Sequence, residues 1–92
     1  MKAERFNIKA CCGRKAVIYR VDRPLSKDTI ASFVKIGFNE SAHFTSSGIL
    51  YVDNLDFILT GPLGSDRLQV KCKKPNCDQN LNDFEQLLQQ LE

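Results

Sequence analysis

The sequence predicts an α+β fold, a single antiparallel sheet of about six strands with two helices on one face, in the order ββα-ββ-ββα. Three observations predict it. The chain carries an internal echo at a shift of 51 residues: Phe6 falls on Phe57, Gly13 on Gly64, Pro24 on Pro75 and Phe33 on Phe84, without a gap. The apolar rhythm keeps step, with Ile8 on Leu59, Val17 on Leu68, Tyr19 on Val70, Ile30 on Leu81 and Ile36 on Leu87. In each copy, period-two segments precede a proline and a helical stripe follows it. The echo predicts two ββα half-units, about 5–37 and 56–92, joined by a hairpin segment 38–55 within one domain, 1–92.

Residues 5–10 alternate polar and apolar, as a half-buried strand does. Residues 14–21 place Val17, Tyr19 and Val21 on one face. Between them, Ala10-Cys11-Cys12-Gly13 suits a three-residue hairpin loop closed by a left-handed glycine. The same pattern predicts hairpin loops at Thr45-Ser46-Ser47-Gly48 and Gly61-Pro62-Leu63-Gly64. Pro24 ends the second strand, since it has no N–H to pair. Ser26 is placed to cap a helix over 26–36, with Asp28 in its first turn, Ile30, Phe33 and Val34 as its apolar stripe and Gly37 as its stop.

Residues 41–45, 49–53 and 56–61 read as a strand meander, with Asp53-Asn54 as the turn between the last two. Residues 66–73 form the final strand, with Leu68, Val70 and Cys72 on one face. A polar linker containing Pro75 follows. A closing helix over 81–91 is predicted from Leu81, Phe84, Leu87, Leu88 and Leu91, with Asn80 as its cap.

Composition narrows the function classes. With 42% apolar and 26% charged residues, the chain has the make-up of a folded domain and not of a disordered one. No uncharged apolar run approaches the roughly 18 residues of a membrane span, so no membrane partner is expected. Residues 1–10 lack the apolar core of a secretory signal, which predicts a cytoplasmic protein with its four cysteines reduced. The net charge of +2 is unevenly spread: Lys and Arg outnumber acids in residues 1–35 and are absent from 36–66.

Three readings of function arise. Ile49-Leu50-Tyr51-Val52 and Phe57-Ile58-Leu59 do not alternate cleanly. Strands apolar on both sides are usually covered on both faces, and two helices cover one. The expectation is a small non-enzymatic interaction module, a homodimer or larger homo-oligomer, that uses the uncovered sheet face through Leu50, Tyr51, Val52, Ile58 and Thr60. The plain counter-reading is an ordinary pair of exposed apolar residues.

The second reading is a nucleic-acid binder. Lys9, Arg14, Lys15, Arg20 and Arg23 crowd the first hairpin, and Lys71, Lys73 and Lys74 are their counterparts in the second copy. Tyr19 is the available stacking ring, although it shares a face with Val17 and Val21 and so reads as core. The third reading is a metal site from Cys11, Cys12, Cys72 and Cys77, the thiol count of a structural zinc centre. Its spacing is poor, with a vicinal pair and a C-x4-C element.

The loop 61–65 offers backbone N–H groups to a phosphate, but it joins two strands and opens no helix. His43 is the only histidine, with no triad spacing around it. Asp53 and Asp56 read as turn formers. No catalytic residue and no cofactor are assigned.

Overall fold

The computed structural model describes residues 2–11, 14–73 and 78–90. Its elements run β1 (Ala3–Cys11), β2 (Arg14–Val21), α1 (Lys27–Lys35), β3 (Asn39–Glu40), α2 (Ala42–Ser46), β4 (Ile49–Asp53), β5 (Phe57–Pro62), β6 (Arg67–Cys72) and α3 (Asp78–Gln90). The strands form one six-stranded sheet in the order β1-β2-β6-β5-β4-β3, and every neighbouring pair is antiparallel. The α+β class and the single antiparallel sheet are as expected. A third, short helix is additional. No helix among the described residues is long and apolar enough to cross a membrane.

Alternation decides which side of each strand meets the helices. Val17, Tyr19 and Val21 from β2, Leu50 and Val52 from β4, Phe57 and Leu59 from β5, and Leu68, Val70 and Cys72 from β6 are all buried. They form one cluster with Ile30 and Phe33 of α1 and Leu81, Phe84 and Leu88 of α3. Phe84 is the hub. Its ring centroid lies 5.3 Å from Phe57, 5.9 Å from Tyr19, 6.3 Å from Phe38 and 6.4 Å from Phe33.

At the rim of the core, the Tyr19 hydroxyl donates to Glu85 Oε1 at 3.0 Å, and Arg5 reaches the same oxygen at 2.7 Å. Burial, and then the bond to Glu85, push the Tyr19 phenol well above its ordinary range. This group pins α3 to β1 and β2.

Local chemistry explains the first helix. The Ser26 side chain accepts from the Thr29 N–H and the Thr29 hydroxyl accepts from the Ser26 N–H, a reciprocal cap. At its other end Gly37 takes φ +108°, a left-handed conformation that a side chain would strain.

Strands β2 and β6 lie side by side with Ile18 opposite Gln69, positions related by the echo. An exact two-fold axis between them would map β1 onto β5 and β2 onto β6, with equal hairpin registers. The hairpin registers depart from that axis: Ile8 faces Val17, while Leu59, the echo of Ile8, faces Val70.

Several expected elements shift. Residues 41–45 do not form a strand: Ala42–Ser46 is a helical turn, and the third strand is the two-residue β3 before it. A five-residue apolar alternation is too short to separate period two from 3.6. Here Thr45 and Ser46 hydroxyls bond back to the Ser41 and Ala42 carbonyls, and the Phe44 ring stacks on Tyr51 at 4.6 Å. Thr45–Gly48 is consequently the end of a helix and not a hairpin loop.

The other turns slide along the chain. Gly61 and Pro62 complete β5, so that turn is Pro62–Ser65, closed by Ser65 N–H to Pro62 O at 3.1 Å. The β4–β5 turn is centred on Leu55-Asp56 and not on Asp53-Asn54, because Asn54 Oδ1 captures the N–H groups of Asp56 and Phe57. Helix α3 begins at Asp78, three residues before Leu81, so Asn80 lies inside it and does not cap it. The extra turn has no apolar position to announce it. Cys12 and Gly13 of the first hairpin tip, and Pro75 of the linker, lie outside the described residues.

Candidate functional site

Among the described residues, the second sheet face is covered only at one corner, by α2 against β4. Two of the five expected interface residues are not on it. Leu50 and Val52 are 0% exposed and belong to the helix-covered core. In an unbroken apolar run such as Ile49–Val52, sequence does not reveal which parity points inward. The structure assigns Leu50 and Val52 to the core and Ile49, Tyr51 and Asp53 to the other side. Tyr51, Ile58 and Thr60 do share the outer face, half-buried among their neighbours.

Register arranges that face in three rows across the strands. In the middle row Ile18 faces Gln69, Gln69 faces Thr60 and Thr60 faces Tyr51. Asn7 is the β1 residue paired with Ile18; Phe6 is the extra residue of a bulge between Arg5 and Asn7, 60% exposed, with its ring beside Arg67 of the next row. Phe44 covers the β4 end by stacking on Tyr51. The face thus carries one aromatic ring on β1 and a stacked pair over β4.

On one side of it Glu4 faces Arg20, Arg20 faces Arg67, and Pro62 faces Ile49. On the other side Ala16 faces Lys71, Lys71 faces Ile58, and Ile58 faces Asp53. A shallow depression of about 300 Å³ lies between the first two rows, lined by Ile18, Ile49, Thr60, Pro62, Arg67 and Gln69.

The charges on this face do not balance. Arg20 and Arg67 stand directly opposite each other, a repulsive pairing. Asp66 relieves Arg20 at 3.3 Å. Arg67 lies over the Phe6 ring at 5.4 Å, a cation–π contact. Among the described residues no carboxylate pairs with Arg67 or Lys71, whereas Asp53 is held by Lys73 at 2.9 Å.

The expected nucleic-acid residues scatter. Arg20 and Lys71 are on the outer face, Lys73 is paired with Asp53, and Arg23 sits beyond β2 beside Asp22 at 3.6 Å. The backbone places Lys9 opposite Ala16, Lys15 opposite Ala10 and Arg14 opposite Cys11. Lys74 lies outside the described residues. Tyr19 is fully buried beneath α3, as its strand face implied, and offers no stacking surface.

Sequence reasoning left out Phe6, Ile18, Arg67 and Gln69 as members of one surface. The signal was present in the alternation of Arg67, Gln69 and Lys71 with Leu68, Val70 and Cys72.

The metal reading loses its donors. Cys72 is buried and disulfide-bonded, not a reduced thiol. A bridge consumes two of the chain's four cysteines, so Cys11, Cys12, Cys72 and Cys77 cannot supply four thiolates. Cys12 and Cys77 lie outside the described residues. Among the described residues no cluster of His, Cys, Asp and Glu could hold a metal ion. Protein purified without reductant and then denatured is expected to show fewer than four alkylatable thiols, rising to four after reduction. Four before reduction would remove the bridge.

The 61–65 loop is no anion cradle. Its N–H groups are spent: Leu63 donates to Gly48 O, Gly64 to Leu25 O and Ser65 to Pro62 O. His43 is exposed and packs edge-on to Phe44 at 5.5 Å.

No protein-family model matches the chain, and no curated protein or solved structure is significantly similar to it.

Proposed function

We propose that this chain is a non-enzymatic interaction module whose working surface is the outer sheet face, and that it associates with a second copy of itself there. One observation carries the reading: Ile49, Tyr51, Ile58 and Thr60 adjoin on β4 and β5, with Ile18 beyond β6, on a sheet face that no long helix among the described residues covers, while the opposite face is closed. Burying such a patch is favourable at about 25 cal/mol per Å². Association also costs several kcal/mol of lost freedom, and the unpaired Arg67 and Lys71 oppose like charges across a two-fold contact. The self-contact is therefore weak and concentration-dependent. The lack of a secretory core in residues 1–10 argues for the cytoplasm, whereas the Cys72 disulfide argues for an oxidising compartment.

Light scattering over a concentration series tests the reading. The mass is expected to rise from 10.4 kDa towards twice that value, and Ile58→Asp to hold it at the monomer. Ile58 is half-buried on the outer face, so the variant keeps the core intact. A wild-type mass that stays constant throughout the series discards self-association.

A further inference from the structure

We infer that the outer face is also a track for single-stranded nucleic acid, crossing the strands from Phe6 on β1 over Ile18, Gln69 and Thr60 to the Phe44–Tyr51 stack. The inference rests on that face being the working surface, and it names a second occupant that competes with the self-contact.

Single-strand binding needs rings on which bases stack and cations that follow the phosphates. Phe6 on β1 and Phe44 over β4, at either end of the face, supply the first. Phe6 is exposed on β1, and the Phe44–Tyr51 stack closes the row over β4. Strands about 4.8 Å apart put these platforms about 19 Å from each other across β1, β2, β6, β5 and β4, the reach of a short oligonucleotide. The flanking rows supply the second, with Arg20 and Arg67 on one side and Lys71 on the other.

Charge suits this occupant to the face. Arg20 and Arg67 face each other, with Glu4 and Asp66 beside Arg20 alone. A phosphate between the two guanidinium groups turns a repulsion into a pair of charge-assisted hydrogen bonds. A second copy of the chain brings more cations to the same place. In the middle of the row the Gln69 amide and the Thr60 hydroxyl provide donors and acceptors at the height of a stacked base. A duplex hides its base faces and leaves Phe6 and Phe44 nothing to stack on.

The test is fluorescence anisotropy of a labelled oligo(dT) of about twelve nucleotides, at about 50 and 200 mM salt. The wild type is expected to bind at low salt and to lose affinity steeply at high salt. Phe6→Ala is expected to weaken binding roughly 5- to 150-fold, the loss of one stacked base. Lys71→Gln is expected to lower the salt slope by about one, and Arg67→Gln to lower affinity and slope together. Arg23→Gln, outside the rows, is expected to change affinity little. Circular dichroism melts check that each variant is folded.

Four results overturn the inference: no binding at low salt, unchanged affinity in folded Phe6→Ala and Arg67→Gln, a duplex bound as tightly as the strand, or poly-glutamate competing as well as the oligonucleotide. If the strand fails to bind while Ile58→Asp still abolishes a concentration-dependent mass, the track falls and the face remains an interaction surface. If both fail, the face is not the working surface.

Discussion

Phe84→Ala is expected to destabilise the fold by about 3–5 kcal/mol, the cost of emptying a buried aromatic site. Phe84 is 1% exposed, and its ring meets Tyr19, Phe33, Phe38 and Phe57. These neighbours come from β2, α1, the segment before β3, and β5. Removing the ring leaves a cavity with walls on several different elements, and no single side chain can collapse into it. A domain of this size has about 5–10 kcal/mol to lose, so the variant is expected to populate the unfolded state measurably near 37 °C. Urea unfolding followed by circular dichroism measures it. A loss under about 1 kcal/mol means the rings do not form one packed unit. The comparison is Leu87→Ala, on the exposed side of the same helix at 39% exposure, which is expected to cost far less.

Gly61→Ala is expected to cost about 1–3 kcal/mol, the range for overpacking a filled core. Its sign is diagnostic. Where the backbone permits a side chain and space is open, Gly→Ala stabilises by about 0.4–1 kcal/mol through the unfolded chain. At Gly61 a Cβ would lie 2.6 Å from Leu25 Cδ1 and 2.7 Å from the Arg67 carbonyl oxygen. Leu25 is itself buried, and the carbonyl belongs to the paired strand β6, so neither yields freely. The strain falls beneath Pro62 and Arg67, at the edge of the outer depression. Thermal melts are expected to show a lower midpoint, and a stabilised variant refutes the close approach. Adding Leu25→Ala relieves one contact and leaves the carbonyl, so the double variant is expected to stay destabilised.

Both results probe how tightly the helix-covered face fixes the other. With Val17, Tyr19, Leu68 and Val70 buried, strand parity forces Ile18, Arg67, Gln69 and Lys71 outward together. The outer face is therefore set by what the core needs. An outer-face variant such as Ile58→Asp is expected to be tolerated for the same reason.

Periodicity made much of this legible before any coordinates. The spacing of Ile30 and Phe33, the Ser26 cap and the Gly37 stop are local, and they located α1 to within a residue at each end. The strands at 14–21 and 49–53 and the side of Tyr19 followed from alternation in the same way. The short helix at 42–46 did not, because one helical turn and one short strand leave the same apolar trace, and the stack of Phe44 on Tyr51 decides between them.

The candidate site was legible only in part. Tyr51, Ile58 and Thr60 lie on the outer face, where doubly apolar strands led to the expectation of a second cover. Leu50 and Val52 were misplaced because a continuous apolar run carries no parity. Phe6, Arg20, Arg67 and Lys71 sit far apart in the chain, and they become one surface only when β2 pairs with β6 at Ile18 and Gln69. Local hydrogen bonding and side-chain period are properties of neighbouring residues, so the linear order of the chain records them. Which strands lie side by side, in what register and with which face outward depends on contacts across the whole chain. For that reason the three rows of the outer face, and the Arg20–Arg67 opposition within them, belong to the folded molecule alone.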